Sequence, residues 1–198
     1  MSDTYKTIIT PTEGIYKEKG SKFLSFAIPV SSADEVKEIV KNYRKEYYDS
    51  RHVCYAYMLG ADRKEFRAND DGEPSGTAGR PILGQINSRE LTNILVIVVR
   101  YFGGILLGTG GLVVAYKEAT TDALDQAEVV EKTVDETIYI VFDYVLMNEV
   151  MRIIKDTNAQ ISSQNFEDQC AMQLSIRKQD ADLLSSKLDK LYGLHIKE

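Results

Sequence analysis

The sequence predicts a protein of two α+β domains, residues 1–130 and 131–198. Three observations predict it. Short runs rich in β-branched and aromatic residues alternate with stretches of helical periodicity. One run, 93–102, is apolar enough to be a strand buried on both faces. After a charged connector at 128–133 the pattern restarts and reads β-α-β-β-α-β, the ferredoxin-like order.

Residues 22–30, rich in Phe, Leu and Ile, predict the first strand. Ser32 opens a capping box with Glu35. Val36, Ile39, Val40, Tyr43 and Tyr47 then recur at helical spacing, one apolar face of a helix ending near Asp49. Residues 51–59 are aromatic and partly alternating, a second strand. Residues 67–81 hold three glycines and two prolines, so no regular element is predicted there. Residues 82–86 are short and apolar. The buried strand at 93–102 runs into Gly103-Gly104, and the segment closes on Gly108-Thr109-Gly110-Gly111. A helix follows to about Ala127, with Leu112, Ala115, Tyr116, Ala119, Ala123 and Leu124 inside. Its alanines predict close packing on a sheet.

In the second domain, residues 134–142 predict a strand and 144–157 a helix with Val145, Met147, Val150, Met151 and Ile154 apolar. Strands at 161–166 and 170–176 follow. Residues 180–191 predict a helix carrying Leu183, Leu184, Leu188 and Leu191. Gly193 stands at the left-handed end position, and 194–196 is a last short strand.

Composition narrows the function classes. The chain has 198 residues, 43% hydrophobic and 27% charged, with 13 glycines and four prolines, which is ordinary for a folded protein. Net charge is −6, shared as −2 over 1–130 and −4 over 131–198. No basic run exists, which argues against non-specific binding to DNA. The two cysteines, Cys54 and Cys170, form no C-x-x-C pair, so neither zinc nor a dithiol motif is supported. Residues 1–10 lack an apolar signal core, and no apolar run approaches the ~18 residues of a membrane span. The expectation is a cytoplasmic protein with no membrane partner, metal or cofactor.

The chemistry motifs concentrate between Arg67 and Lys117. Glycines between a strand and a helix invite an anion-binding reading, because helix-start amides bind anions. Known fingerprints fail. No lysine precedes Thr109, so this is not a phosphate loop of the Walker type. Val113 stands where the dinucleotide fingerprint wants its third glycine. Positive φ angles and tight packing are the plainer use of these glycines. Asp70, Asp71 and Glu73 are three carboxylates in a turn, but Arg67 occupies the first-ligand position of a calcium loop, and a solvated turn explains them as well. Ser75 lacks the spacing of a nucleophile elbow. His52 and Cys54 share a strand face, which a structural histidine also satisfies. Arg80, Arg100 and Lys117, with Tyr101 and Phe102, offer charge and stacking for a phosphate, an RNA backbone or an acidic protein segment. Local pairing with Asp70, Asp71 or Glu73 would use the same charges internally.

The spacing of Gly79, Ile82-Leu83, Ile86, Leu91, Ile97-Val98, Arg100-Tyr101-Phe102-Gly103-Gly104 and Leu107-Gly108 resembles the signature of the IMPACT/YigZ family. So do residues 70–79 and His52-Val53-Cys54-Tyr55-Ala56-Tyr57 upstream. The resemblance covers nearly the whole chain. It implies a first domain similar to the second domain of ribosomal protein S-five, a fold shared with domain IV of elongation factor G. It implies a ferredoxin-like second domain similar to domain V of that factor. The family's eukaryotic members regulate translation by competing for a ribosome-associated activator of the amino-acid-starvation kinase. The acidity of the second domain weakens a simple RNA-binding reading of it and would suit a basic protein partner as well.

The resulting expectation is a non-catalytic binding protein acting on translation through a component of its machinery or RNA. Its candidate contacts are His52, Asp70, Asp71, Glu73, Ser75, Thr77, Arg80, Arg100, Tyr101, Thr109 and Lys117. Gly103, Gly104, Gly108, Gly110 and Gly111 would let a ligand approach the backbone. The alternatives are an enzyme acting on a nucleotide or other phosphate-bearing small molecule at the Gly-rich loop, and a purely structural signature.

Overall fold

The computed structural model describes residues 3–197. They divide into two units, residues 5–132 and residues 3–4 with 133–197. From the start of the chain the elements are β1 (Thr4–Ile8), β2 (Thr12–Glu18), β3 (Ser21–Pro29), α1 (Ala33–Glu46), β4 (His52–Leu59), β5 (Glu65–Asn69), α2 (Gly79–Ser88), β6 (Ile94–Tyr101), α3 (Gly108–Asp125) and β7 (Val129–Thr133). Five strands form one sheet in the order β2-β3-β6-β4-β5, every neighbouring pair antiparallel. β1 and β7 pair separately.

β6 lies at the centre, and its residues from Ile94 to Arg100 are buried. Successive side chains of a strand point to opposite faces. Ile94, Val96 and Val98 therefore pack with Ile82 and Ile86 of α2 and with Leu112, Ala115 and Tyr116 of α3. Leu95, Ile97 and Val99 pack with Val36 and Val40 of α1. Each such side chain stabilises the fold by roughly 1.5–3 kcal/mol, so one β-branched strand holds helices on both faces of the sheet.

α1 starts as its sequence predicts. Ser32 Oγ accepts the amide of Glu35 at 3.2 Å. The return bond falls one residue early: Glu35 Oε2 accepts from the amide and hydroxyl of Ser31, at 2.7 and 2.9 Å.

Several elements depart from the sequence expectation. Residues 67–81 were expected to hold no regular element, yet β5 runs to Asn69 and α2 begins at Gly79. Pro81 sits in the first turn of α2, where a missing amide hydrogen does no harm. The expected connector at 128–133 is mostly β7. β1 and β2 were not anticipated. β1 is only five residues long, and β2 is half-exposed and polar, so pairing rather than an apolar run makes them strands. α3 takes in Gly108 to Gly111, which were expected to precede it.

The second unit contains β8 (Asp135–Phe142), a single 3-10 turn at Tyr144–Leu146, α4 (Met147–Asp156), β9 (Gln160–Phe166), β10 (Cys170–Arg177), α5 (Lys178–Leu188) and β11 (His195–Lys197). Its sheet runs β11-β8-β10-β9, with antiparallel neighbours. Ile138, Ile140, Phe142, Met172, Leu174 and Ile176 alternate along β8 and β10 and pack with Val150, Ile154, Leu184 and Leu188 of the helices. This is the ferredoxin-like arrangement. Gly193 has φ of 92°, but α5 ends earlier, at Leu188, so Gly193 turns the chain into β11 instead of capping the helix. Among the described residues, no helix is long and apolar enough to cross a membrane.

Candidate functional site

The register of the five-stranded sheet places Phe23 of β3, Arg100 of β6 and His52 of β4 side by side. Their row faces α3. The Arg100 guanidinium carbon lies 5.5 Å from the Phe23 ring centre and 5.7 Å from that of Phe102.

Glu73 reaches this row through a tight turn. Asp70 O accepts the amide of Glu73 at 2.9 Å. The two residues between, Asp71 and Gly72, have φ of 44° and 86°. Positive φ at both central positions is what an Asp-Gly pair tolerates. The turn delivers Glu73 inward, where Oε1 accepts from Arg100 Nη1 at 2.6 Å and from the Tyr116 hydroxyl at 2.8 Å. The Glu73 and Arg100 side chains are 3% and 6% exposed.

The neighbouring acids hold the backbone. Asp70 accepts amides of Gly76, Ala78 and Gly79 at 2.8, 3.1 and 2.8 Å, and so caps α2 from outside the helix. Burial pushes its carboxyl up, but these amide bonds outweigh it and the net shift is downward. Asp71 accepts the amide of Val53 at 2.7 Å and pairs with Arg44 at 2.8 Å.

His52 Nδ1 lies 2.7 Å from Asp71 O, so that nitrogen carries the ring proton when the ring is neutral. Its Nε2 is 3.8 Å from Glu73 Oε2, beyond hydrogen-bond range. Cys54 Sγ lies 3.0 Å from Asp70 O and 3.3 Å from the Tyr116 hydroxyl. Burial pushes the Cys54 thiol and the Tyr116 hydroxyl far up, so neither ionises near neutrality.

Above this layer is a cavity of about 400 Å³. Arg51, His52, Glu73, Pro74 and Arg100 line it together with Phe102, Leu106, Leu107 and Leu112, and with Gly108 and Thr109 at the start of α3. Two of the apolar lining residues are open to solvent, Phe102 at 47% and Leu106 at 82% exposed, and the adjoining Ile105 is 55% exposed. Among the described residues, no group of three His, Cys, Asp or Glu side chains could hold a metal ion.

Of the residues singled out from sequence, His52, Glu73, Arg100, Gly108 and Thr109 meet at this cavity. Asp70 and Asp71 brace the loop behind it. Thr77 is buried and donates to Pro74 O at 2.6 Å. Ser75, Arg80 and Lys117 are exposed elsewhere. Tyr101 belongs to the opposite sheet face, its hydroxyl donating to Asp49 at 2.9 Å. Gly110 and Gly111 face a second hollow, with Tyr16 and Val114. Gly103 is pinned: a Cβ there would stand 1.9 Å from Gly20 C and 2.2 Å from Ser21 N. Gly104 is open, with nothing near such a Cβ.

Arg51, Pro74 and Leu106 were missed. A usable signal existed for Leu106, because Ile105-Leu106-Leu107 is an apolar triplet set between glycines in a loop. The pairing of Glu73 with Tyr116 across 43 residues had no sequence signal.

Comparison with known proteins bears on the whole chain. The model of the Impact N-terminal domain matches residues 19–124. IMPACT family member YigZ of Escherichia coli (strain K12) is 31% identical over 180 residues, 90% of this chain and 88% of that protein. IMPACT family member YvyE of Bacillus subtilis (strain 168) is 28% identical over 191 residues, 96% of this chain and 88% of that one. A crystal structure described as a hypothetical protein aligns with a TM-score of 0.76 at 28% identity, covering 99% of this chain and 97% of its own.

Proposed function

This chain belongs to the IMPACT family, and on that premise we propose that it is a non-catalytic binding protein of the cytoplasm that regulates translation. The groove beside α3 docks a component of the translation machinery, reached through the ribosome, its RNA or an associated factor. One observation carries this reading. The segment between β6 and α3 presents Phe102, Ile105 and Leu106 to solvent, and Phe102 and Leu106 line a cavity that also bears Arg51 and Arg100. Large apolar side chains exposed together, with polar groups beside them, mark an interaction site. The polar groups beneath are committed to each other, with Glu73 taken by Arg100 and Tyr116. Family membership supplies the link to translation.

Co-sedimentation with purified ribosomes at two salt concentrations tests it. Association is expected, and Leu106→Asp, at a position that is 82% exposed, is expected to abolish it without unfolding the chain. Equal sedimentation of Leu106→Asp and the parent chain would remove this groove as the docking surface.

A further inference from the structure

We propose that the cavity between His52, Glu73 and Phe102 recognises the amino group of an aminated heteroaromatic ring, of which adenine is the type. This rests on the reading of the same groove as the binding surface, and it names the group that the groove reads.

Two hydrogen-bond acceptors converge in the cavity wall. Glu73 takes both of its bonds on Oε1, from Arg100 Nη1 and the Tyr116 hydroxyl. Its second oxygen, Oε2, takes none among the described residues and lies 3.8 Å from His52 Nε2. His52 Nδ1 donates to the carbonyl oxygen of Asp71 at 2.7 Å, so Nε2 of the neutral ring presents a lone pair. Both atoms can be reached. Among the described residues, the side-chain nitrogens and oxygens that are sealed from solvent without a partner are Arg63 Nε and Arg100 Nε. Glu73 Oε2 and His52 Nε2 are outside that set, and both residues line the cavity. Two lone pairs at this separation cannot satisfy each other. One nitrogen carrying two hydrogens can sit about 2.9 Å from each and donate to both. The His52 and Glu73 side chains are 15% and 3% exposed, so packing holds the pair in place before anything binds.

Charge and shape narrow the class. A nitrogen with two hydrogens belongs to an ammonium, a guanidinium, a carboxamide or a ring amine. Arg51 and Arg100 line the cavity with Glu73 as its single carboxylate, and Glu73 is already paired with Arg100. A further cation would meet net positive charge, which leaves the two neutral groups. The remaining wall is Phe102, Leu106, Leu107 and Leu112. A carboxamide has little apolar surface to bury there, whereas an unsaturated ring has two faces to lay against an aromatic or aliphatic side chain. A ring carbonyl in the same place would bring a third acceptor to the first two. A cavity of about 400 Å³ is of small-ligand size. The shared chemistry has two sources, a free nucleoside or an unpaired base of single-stranded RNA.

Calorimetric titration of the full chain with adenosine, its dimethylamino analogue, inosine and an adenosine trinucleotide tests this. Adenosine is expected to bind. The dimethylamino analogue keeps the ring but has no amino hydrogen to give, and inosine presents an oxygen instead. Each is expected to bind at least about tenfold more weakly than adenosine. His52→Asn sets an amide where Nδ1 stands, able to donate to Asp71 O, and leaves nothing at Nε2. It is expected to weaken adenosine about tenfold and inosine little, so that discrimination between the two narrows. A merely structural loss would weaken every nucleoside alike and leave their ratio unchanged. Should His52→Asn fail to fold, the ligand series decides alone. Tighter binding of the trinucleotide assigns the base to RNA, the reverse to a free nucleoside, and either supports the inference. Equal binding of the three nucleosides, no binding of adenosine, or undiminished discrimination in His52→Asn overturns it. Ribosome association of the same proteins separates the two readings. Association without adenosine binding removes this inference alone, and adenosine binding without association removes the earlier reading alone.

Discussion

Arg100 and Glu73 form a hydrogen-bonded ion pair at 2.6 Å with side chains 6% and 3% exposed. Removing one partner of such a pair strands the other in a poor solvent. Arg100→Ala is expected to destabilise the chain by about 3–5 kcal/mol, read as a lower urea midpoint. The double variant Arg100→Met with Glu73→Gln is expected to lose less than the two single changes added together. A loss below about 1 kcal/mol for Arg100→Ala, the range of a surface pair, would show that the pair does not hold the loop.

Asp70 gives a pH dependence. Burial acts to raise its carboxyl, and the amides of Gly76, Gly79 and Ala78 lower it further than burial raises it, below its ordinary 3.8. A carboxyl depressed in the folded state adds stability that is fully present above the unfolded value. That stability is lost as pH falls through the folded value. Asp70→Asn is expected to be about 1–3 kcal/mol less stable at neutral pH. It is also expected to lose less on acidification from about pH 5 to pH 2. Superimposable acid limbs in chemical denaturation would contradict the assignment.

Two glycines seven residues apart are expected to respond in opposite directions. Gly103→Ala drives a Cβ into the backbone of Gly20 and Ser21 and is expected to destabilise by about 1–3 kcal/mol. Gly110→Ala meets nothing within 4 Å in the first turn of α3 and is expected to stabilise by up to about 1 kcal/mol. Thermal melts of the two variants decide; a shift in the same direction for both would refute the contrast.

Cys54 and Cys170 are 0% and 3% exposed, and burial pushes the Cys54 thiol well above its ordinary range. Both are expected to resist a disulfide reagent at mild alkaline pH until the chain opens, so that modification follows local or global unfolding. Rapid modification of Cys54 under native conditions would show that it is reactive and that the layer beneath the cavity is open.

Local sequence patterns were enough for the long elements. The β-branched run of β6, the 3.6-residue face of α1 with its Ser32 cap, and the alternation along β8 and β10 are each written in neighbouring residues. β2, β5 and β7 are legible only through their partners, because exposed or edge strands carry little apolar signal. α2 hides behind Gly79 and Pro81, and the cap that starts it, Asp70, comes from nine residues upstream.

For this protein the sequence by itself determined the two α+β domains and the family signature, and it singled out the stretch between Arg67 and Lys117, since periodicity and glycine placement act over a few residues. Only the tertiary structure decided how that stretch divides. It turned Glu73 inward to Arg100 and Tyr116, sent Tyr101 to the opposite face, and left Arg51, Thr109 and Leu106 around one cavity. Strand register and the path of a tight turn set those meetings, and both are long-range pairings that one-dimensional spacing does not encode.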